Sequence, residues 1–139
     1  MFRNILLPVD LTDKHRQALE AAADLARQSG GEVTLLHIIE VIPGLEMEEE
    51  KPFYTRLEKT ARKHLEKLGA LLEGKAIRWR AEVRFGTRGP DIVRYAGEGS
   101  TDLIVLTSPR FDLERPAAGW GSLSHKIGIL SACPVLLVK

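Results

Sequence analysis

Cysteine is nearly absent: the 139 residues hold Cys133 alone, so no internal disulfide can form and a reducing compartment is expected. An excess of one charge is also missing. Lys and Arg number 20 against 19 Asp and Glu, leaving +1, and the basic residues are scattered without aromatic partners, which argues against a nucleic-acid binder. No apolar run approaches the roughly 20 residues that cross a bilayer, which argues against a membrane protein. The opening stretch MFRNILLPVDLT carries one Arg and a short apolar run but no small-residue cleavage site, so the cytoplasm is the expected location. The four histidines, His15, His37, His64 and His125, never stand three or four apart and have no cysteine pair beside them, so no metal site is expected. The acidic run Glu46, Glu48, Glu49 and Glu50 reads as a solvated loop or helix entry.

What is present is ordinary for a globular chain, with 44% hydrophobic and 28% charged residues, and the length suits one domain over residues 1–139. Short apolar runs at 4–9, 32–39, 102–107 and 134–138 read as buried strands. Between the first two, Ala18, Leu19, Ala22, Leu25 and Ala26 fall at helical spacing, with Thr12 or Asp13 as cap and Gly30 as stop. A second helix lies between Pro52 and Gly74, where Leu57, Ala61, Leu65, Leu68 and Leu72 form one stripe. In the strand 77–85, Ile77, Trp79, Ala81, Val83 and Phe85 alternate with Arg78, Arg80, Glu82 and Arg84, the pattern of a strand with one wet face at a sheet edge. A short helix follows at about 88–98, and a last one begins near Gly121.

Five strands alternating with four helices predict a three-layer, doubly wound (Rossmann-like) α/β domain with a parallel sheet. The strand 134–138 is almost wholly apolar and closes the chain, and an uncovered apolar edge invites a second copy. A homodimer joined through Pro134 to Val138 is therefore expected.

The segments NILLPVDLTDKHRQALEAAADLARQSGGEVTLLHIIE, DLIVLTS and, after a Gly-Ser pair, CPVLLVK stand in an order and at spacings that resemble the universal stress protein family over nearly the whole chain. The resemblance implies the strand order 3-2-1-4-5 and dimerisation through the last strand. In such a sheet the order reverses between strands 1 and 4, and ligands sit there at the carboxyl ends.

Family members that bind ATP carry GxxG after the fourth strand and then Gly-Ser or Gly-Thr at a helix start, where backbone N–H groups and the helix dipole meet the phosphates. Here Gly121 and Ser122 match, but Thr107 and Arg110 stand where the first glycines belong, and the spacer 111–120 is one residue longer than the pattern. Carried over, Asp10 faces the adenine or ribose, Ile38 lines the adenine pocket, and Gly121 with Ser122 holds phosphates. Thr107 and Arg110 obstruct the backbone approach, unless Arg110 and Arg115 bring charge to the phosphates instead. The plain structural alternatives are an Asx turn for Asp10, core for Ile38, a helix cap for Gly121 and Ser122, and a solvated loop for the arginines.

Elsewhere the residues read simply. His37 is a hydrogen-bonded core residue, Cys133 a small buried side chain, and Gly97 with Gly99 a turn. His125 lies within a turn of Ser122, yet no orienting carboxylate or oxyanion site completes a triad. Trp120 either covers the crevice or packs on a partner subunit. The favoured reading is a non-catalytic dimer in a stress response, acting on a protein partner through contacts, with nucleotide binding weak or absent. The alternative is an ATP-binding switch, with Mg²⁺ accompanying the nucleotide, that hydrolyses slowly at most, since no residue forms an evident general base and no GxxxxGK[ST] loop is present.

Overall fold

The structure, a computed structural model, describes residues 1–109, 114 and 122–139. In chain order its elements are β1 (Asn4–Pro8), α1 (Arg16–Ser29), β2 (Glu32–Glu40), α2 (Lys51–Gly74), β3 (Arg78–Gly86), α3 (Arg88–Glu98), β4 (Leu103–Thr107), α4 (Leu123–Leu130) and β5 (Val135–Val138). The strands form one sheet in the order β3-β2-β1-β4-β5, every neighbouring pair parallel. This is the doubly wound arrangement expected from the alternation of strands and helices.

The unbroken apolar runs follow from burial on both faces. Ile5 and Leu7 pack with Leu35, Ala22 and Leu65 beneath α1 and α2, while Leu6 lies on the other face with Leu36, Ile92 and Ile127 beneath α3 and α4. β3 differs because it is an edge. Its Trp79 and Val83 turn to the α2 side, whereas Arg80 is exposed and pairs with Glu32 at 3.1 Å, and Arg84 lies 5.3 Å over the ring of Tyr95. The alternation thus reports one dry and one wet face.

Two glycines hold tight points. Gly30 ends α1 in the left-handed region, φ 67°, and both its N–H and that of Gly31 reach the Ala26 carbonyl. Gly69 leaves room for the indole of Trp79, whose ring a Cβ at that position would overlap.

The start of α1 differs from expectation. The cap position is His15, not Thr12 or Asp13, because the Thr12 amide and hydroxyl both donate to Asp10 Oδ1, at 3.0 and 2.5 Å. Thr12 is consumed by a turn that closes on Asp10, which delays the helix by one turn and drops His15 beside the strand end.

β1 pairs with β2 along its whole length, from Asn4 opposite Glu32 to Pro8 opposite Leu36, but with β4 only at Ile5 and Leu6. The chain leaves β1 towards α1 on one face, and the crossovers on its two sides run in opposite directions, so an opening is left at the carboxyl ends of β1 and β4.

Candidate functional site

A cavity of about 240 Å³ occupies that opening. Its apolar floor comes from Leu36 and Ile38 of β2, Leu106 of β4 and Ile92 of α3. Polar groups converge on it from the loop after β1 (Asp10, Lys14, His15), from the end of β4 (Thr107) and from the start of α4 (Ser122, Ser124), with Arg88 of α3 at the side. An apolar floor with a few convergent polar groups is the usual character of a small-molecule site, and the volume lies just under the roughly 300–1,000 Å³ typical of such pockets.

The centre of the polar side is a relay between the two parted strands. His15 Nε2 lies 2.7 Å from Asp10 Oδ1, and His15 Nδ1 lies 2.8 Å from Thr107 Oγ1. The imidazole is buried, whereas the Asp10 carboxylate keeps 22% of its surface. Lys14 adds an ion pair to Asp10 Oδ2 at 3.0 Å. Partial burial works to raise the pKa of Asp10, but hydrogen bonds from Thr12, His15 and Lys14 outweigh it and hold the carboxyl well below the usual carboxylate range. Asp10 is an anion throughout the physiological range. Burial pushes the His15 imidazole below its ordinary value, with Asp10 pulling the other way.

α4 supplies the opposite wall. Ser122 caps it, its Oγ accepting the His125 N–H at 3.2 Å, and Ser122, Leu123 and Ser124 at this positive end of the helix dipole line the cavity. A chain of hydroxyls continues inward from Ser122 to Ser124 at 3.2 Å and from Ser124 to Ser108 at 3.1 Å, where the Lys139 ammonium donates to Ser108 Oγ at 3.3 Å. His125 meets Ser122 through its backbone N–H, which is a cap and no part of a nucleophile–base pair.

Of the residues singled out from the sequence, Asp10, Ile38, Thr107 and Ser122 all line the cavity. Arg110 and Gly121, like Arg115 and Trp120, lie outside the described residues. Asp10 does form the Asx turn that was its plain alternative, yet its carboxylate still borders the cavity. His37 makes the expected hydrogen bond, its Nδ1 donating to the Val9 carbonyl at 2.9 Å, but it is half-buried and not a core residue, because it lies near the open end of β2. Cys133 is half-buried and not wholly buried, because the Ser131 hydroxyl bonds to its amide at 3.2 Å and its carbonyl at 3.1 Å and holds the turn near the surface. Sequence reasoning missed His15, Lys14, Ser124 and Arg88. A signal for His15 existed in the Asp-x-Thr spacing: an Asx turn at Asp10 brings the residue five positions on back against the turn.

No helix among the described residues is long and apolar enough to cross a membrane, and no group of three or more His, Cys, Asp or Glu side chains among them is placed to hold a metal. A profile described as "Universal stress protein family" matches residues 1–139. Universal stress protein MJ0531 of Methanocaldococcus jannaschii is 28% identical over 143 residues, spanning 100% of this chain and 83% of that protein. Among solved structures, hypothetical protein MJ0577 superposes with a TM-score of 0.82 at 25% identity, covering 100% of this chain and 96% of its own. The universal stress protein from Archaeoglobus fulgidus in complex with dAMP superposes at 0.75 with 19% identity, covering 99% and 98%.

Proposed function

Because the chain belongs to the universal stress protein family, we propose that the cavity at the β1–β4 opening binds an adenine nucleotide and that the protein acts as a cytoplasmic, dimeric, nucleotide-responsive regulator. The observation that carries this reading is the convergence of Asp10, Ile38, Thr107 and Ser122 on one cavity of about 240 Å³ with the amino end of α4 at its rim. The apolar floor takes the flat base. Asp10 Oδ2, which pairs with Lys14, accepts from a ribose hydroxyl, since Oδ1 already receives Thr12 and His15. The phosphate meets the α4 N–H groups and the Ser122 hydroxyl, as anions do at helix starts. Fold relatives whose structures hold cAMP, dAMP and AMP support the ligand class. The geometry thereby gives the nucleotide reading more weight than the sequence did, where Thr107 and Arg110 counted against it.

Calorimetry and thermal unfolding with AMP, and with ATP in the presence and absence of Mg²⁺, test the reading. A ligand that binds only the folded state stabilises it by about 2.7 kcal/mol at one hundred times its dissociation constant. No heat and no shift at millimolar nucleotide refutes the reading and returns the favour to a domain that works through protein contacts alone.

The dimer rests on a separate observation. Leu136 and Leu137 of β5 are 39% and 36% exposed, and Ile129 and Leu130 at the end of α4 are 68% and 60% exposed, and β5 is an edge strand with no partner on its outer side among the described residues. A second copy adding its β5 covers both. Sedimentation should give a dimer at micromolar concentration and a monomer for Leu137→Glu; a monomeric parent protein refutes it.

A further inference from the structure

His15 is the most enclosed polar group at the cavity, and its hydrogen bonding is ambiguous in a way that chemistry resolves. Its Nε2 lies 2.7 Å from Asp10 Oδ1 and 3.1 Å from the Asp10 amide nitrogen. One ring nitrogen cannot serve both, since the carboxylate needs a donor and the amide an acceptor. Asp10 is ionised and has no proton to give, and the contact to the anion is shorter, so the hydrogen sits on Nε2 and donates to Oδ1.

The consequence appears at the other ring nitrogen. In neutral imidazole Nδ1 then carries the lone pair, and the Thr107 hydroxyl 2.8 Å away must donate to it. Thr107 lines the cavity, yet its hydrogen is turned inward, and it offers only lone pairs to a ligand. Beside the Asp10 carboxylate, this side of the cavity is set against anionic oxygen. If the ring takes a proton, both nitrogens donate. Thr107 Oγ1 becomes an acceptor, its hydrogen is released towards the cavity, and a positive charge lies one bond behind it.

We propose that His15 is a proton-taking positioning residue that couples occupancy of the cavity by a phosphorylated ligand to protonation of its ring, with Thr107 as the relay. The proposal rests on the nucleotide reading above and deepens it by adding a regulator, pH. A phosphate oxygen placed to accept from Thr107 favours the protonated ring, and by reciprocity the protonated ring favours the phosphate. The proton comes from solvent and resides on Nδ1; no covalent bond is made or broken in the ligand.

The neighbours fix the direction. In the empty protein burial keeps the ring below its ordinary value of 6.5, with Asp10 favouring the charged form and Lys14 and His64 opposing it. His64 comes from α2, where its Nε2 is buried without a hydrogen-bond partner among the described residues, and Lys14 from the turn before α1. His37, on β2, is likewise held below 6.5 by burial and adds no standing positive charge at neutral pH. The ring is therefore neutral at neutral pH without ligand, and affinity rises as the pH falls through the ring pKa of the occupied state, levelling off below that of the empty state.

The test is an NMR titration of the His15 ring in the whole protein, empty and saturated with AMP, which reads the ring itself and not the phosphate's own ionisation. The expected result is a ring pKa higher by at least about one unit with AMP bound, equivalent to a tenfold preference of ligand for the protonated form. Thr107→Val, which keeps the shape and removes the hydroxyl, should weaken AMP binding more at pH 5.5 than at pH 7.5 and, at saturating AMP, reduce that rise by more than half. Equal ring pKa values in the empty and saturated protein overturn the proposal and leave the nucleotide reading intact. If AMP perturbs no cavity resonance at millimolar concentration at pH 5.5 or 7.5, the nucleotide reading fails and this one falls with it.

Discussion

Ser122 has two tasks that substitutions can separate. Its hydroxyl caps α4 through the His125 N–H at 3.2 Å, and the same hydroxyl lines the cavity. Replacing a Ser cap by Ala costs about 1 kcal/mol, within a range of roughly 0.5–2, whereas Gly costs a few tenths and Asp caps as well as Ser. The Ala cost should fall near the middle of that range here, because α4 is only 8 residues long and buries Ile127 as its anchor, so fraying reaches the core within two turns. For a chain of this size 1 kcal/mol moves the midpoint of thermal unfolding by about 3–5 °C. Calorimetric melting of Ser122→Ala should show that loss, with Ser122→Gly and Ser122→Asp close to the parent. AMP titration should divide the set differently: Ser122→Gly keeps binding within a few fold, while Ser122→Asp loses it by at least tenfold because a carboxylate takes the place of the phosphate at the helix start. An unchanged melting point for Ser122→Ala would refute the cap. Parent-like AMP binding by Ser122→Asp would refute the placement of the phosphate.

Three further outcomes follow from the structure. Gly69→Ala pushes a methyl into the Trp79 ring and should cost about 1–3 kcal/mol by overpacking, read from denaturant unfolding with an unchanged m-value. Tyr54→Phe strips a buried hydroxyl that donates to the Leu45 carbonyl at 2.6 Å and accepts the Ile42 N–H at 3.1 Å; a loss of about 1–3 kcal/mol and faster hydrogen exchange at Ile42 are expected. The empty protein should lose stability as pH falls below 6.5, because His15 and His37 are both held below that value in the folded state, the unfolded chain binds the extra protons, and stability therefore rises with pH across the window. Melting curves that are flat from pH 7.5 to 5 would contradict both imidazole environments.

The fold was legible because its signals are local and periodic. The unbroken runs at β1 and β4 meant burial on two faces, and the alternation from Arg78 to Phe85 meant an edge with one wet face; both depend only on the side-chain period of a strand. The strand order was a different matter. It came from the resemblance, since periodicity does not say which strands are neighbours. Local reasoning failed where two local motifs competed for one residue. Thr12 was a sound cap candidate by type, but the Asx turn at Asp10 claimed its amide and its hydroxyl, and α1 started at Arg16 with no side-chain cap.

The site was legible as a set of positions and not as a mechanism, and Thr107 shows why. In the sequence it counts as a glycine lost from a phosphate loop, a side chain where backbone should approach. In three dimensions that side chain is held by an imidazole that sits 92 residues away in the chain and reaches across to Asp10. No periodicity or motif spacing encodes such a pair, because its members are joined only by the parallel placement of β1 beside β4. The residue types agree with one another all the same: a threonine hydroxyl that can reverse its donor, an imidazole that can take a proton, and a carboxylate that fixes which ring nitrogen is free to do so. A glycine at 107 would allow backbone contact with a phosphate at any pH. On the proposed reading the threonine, with His15 behind it, would make that contact depend on a proton, and its departure from the family pattern would then be a second way of meeting a phosphate and not the remains of the first.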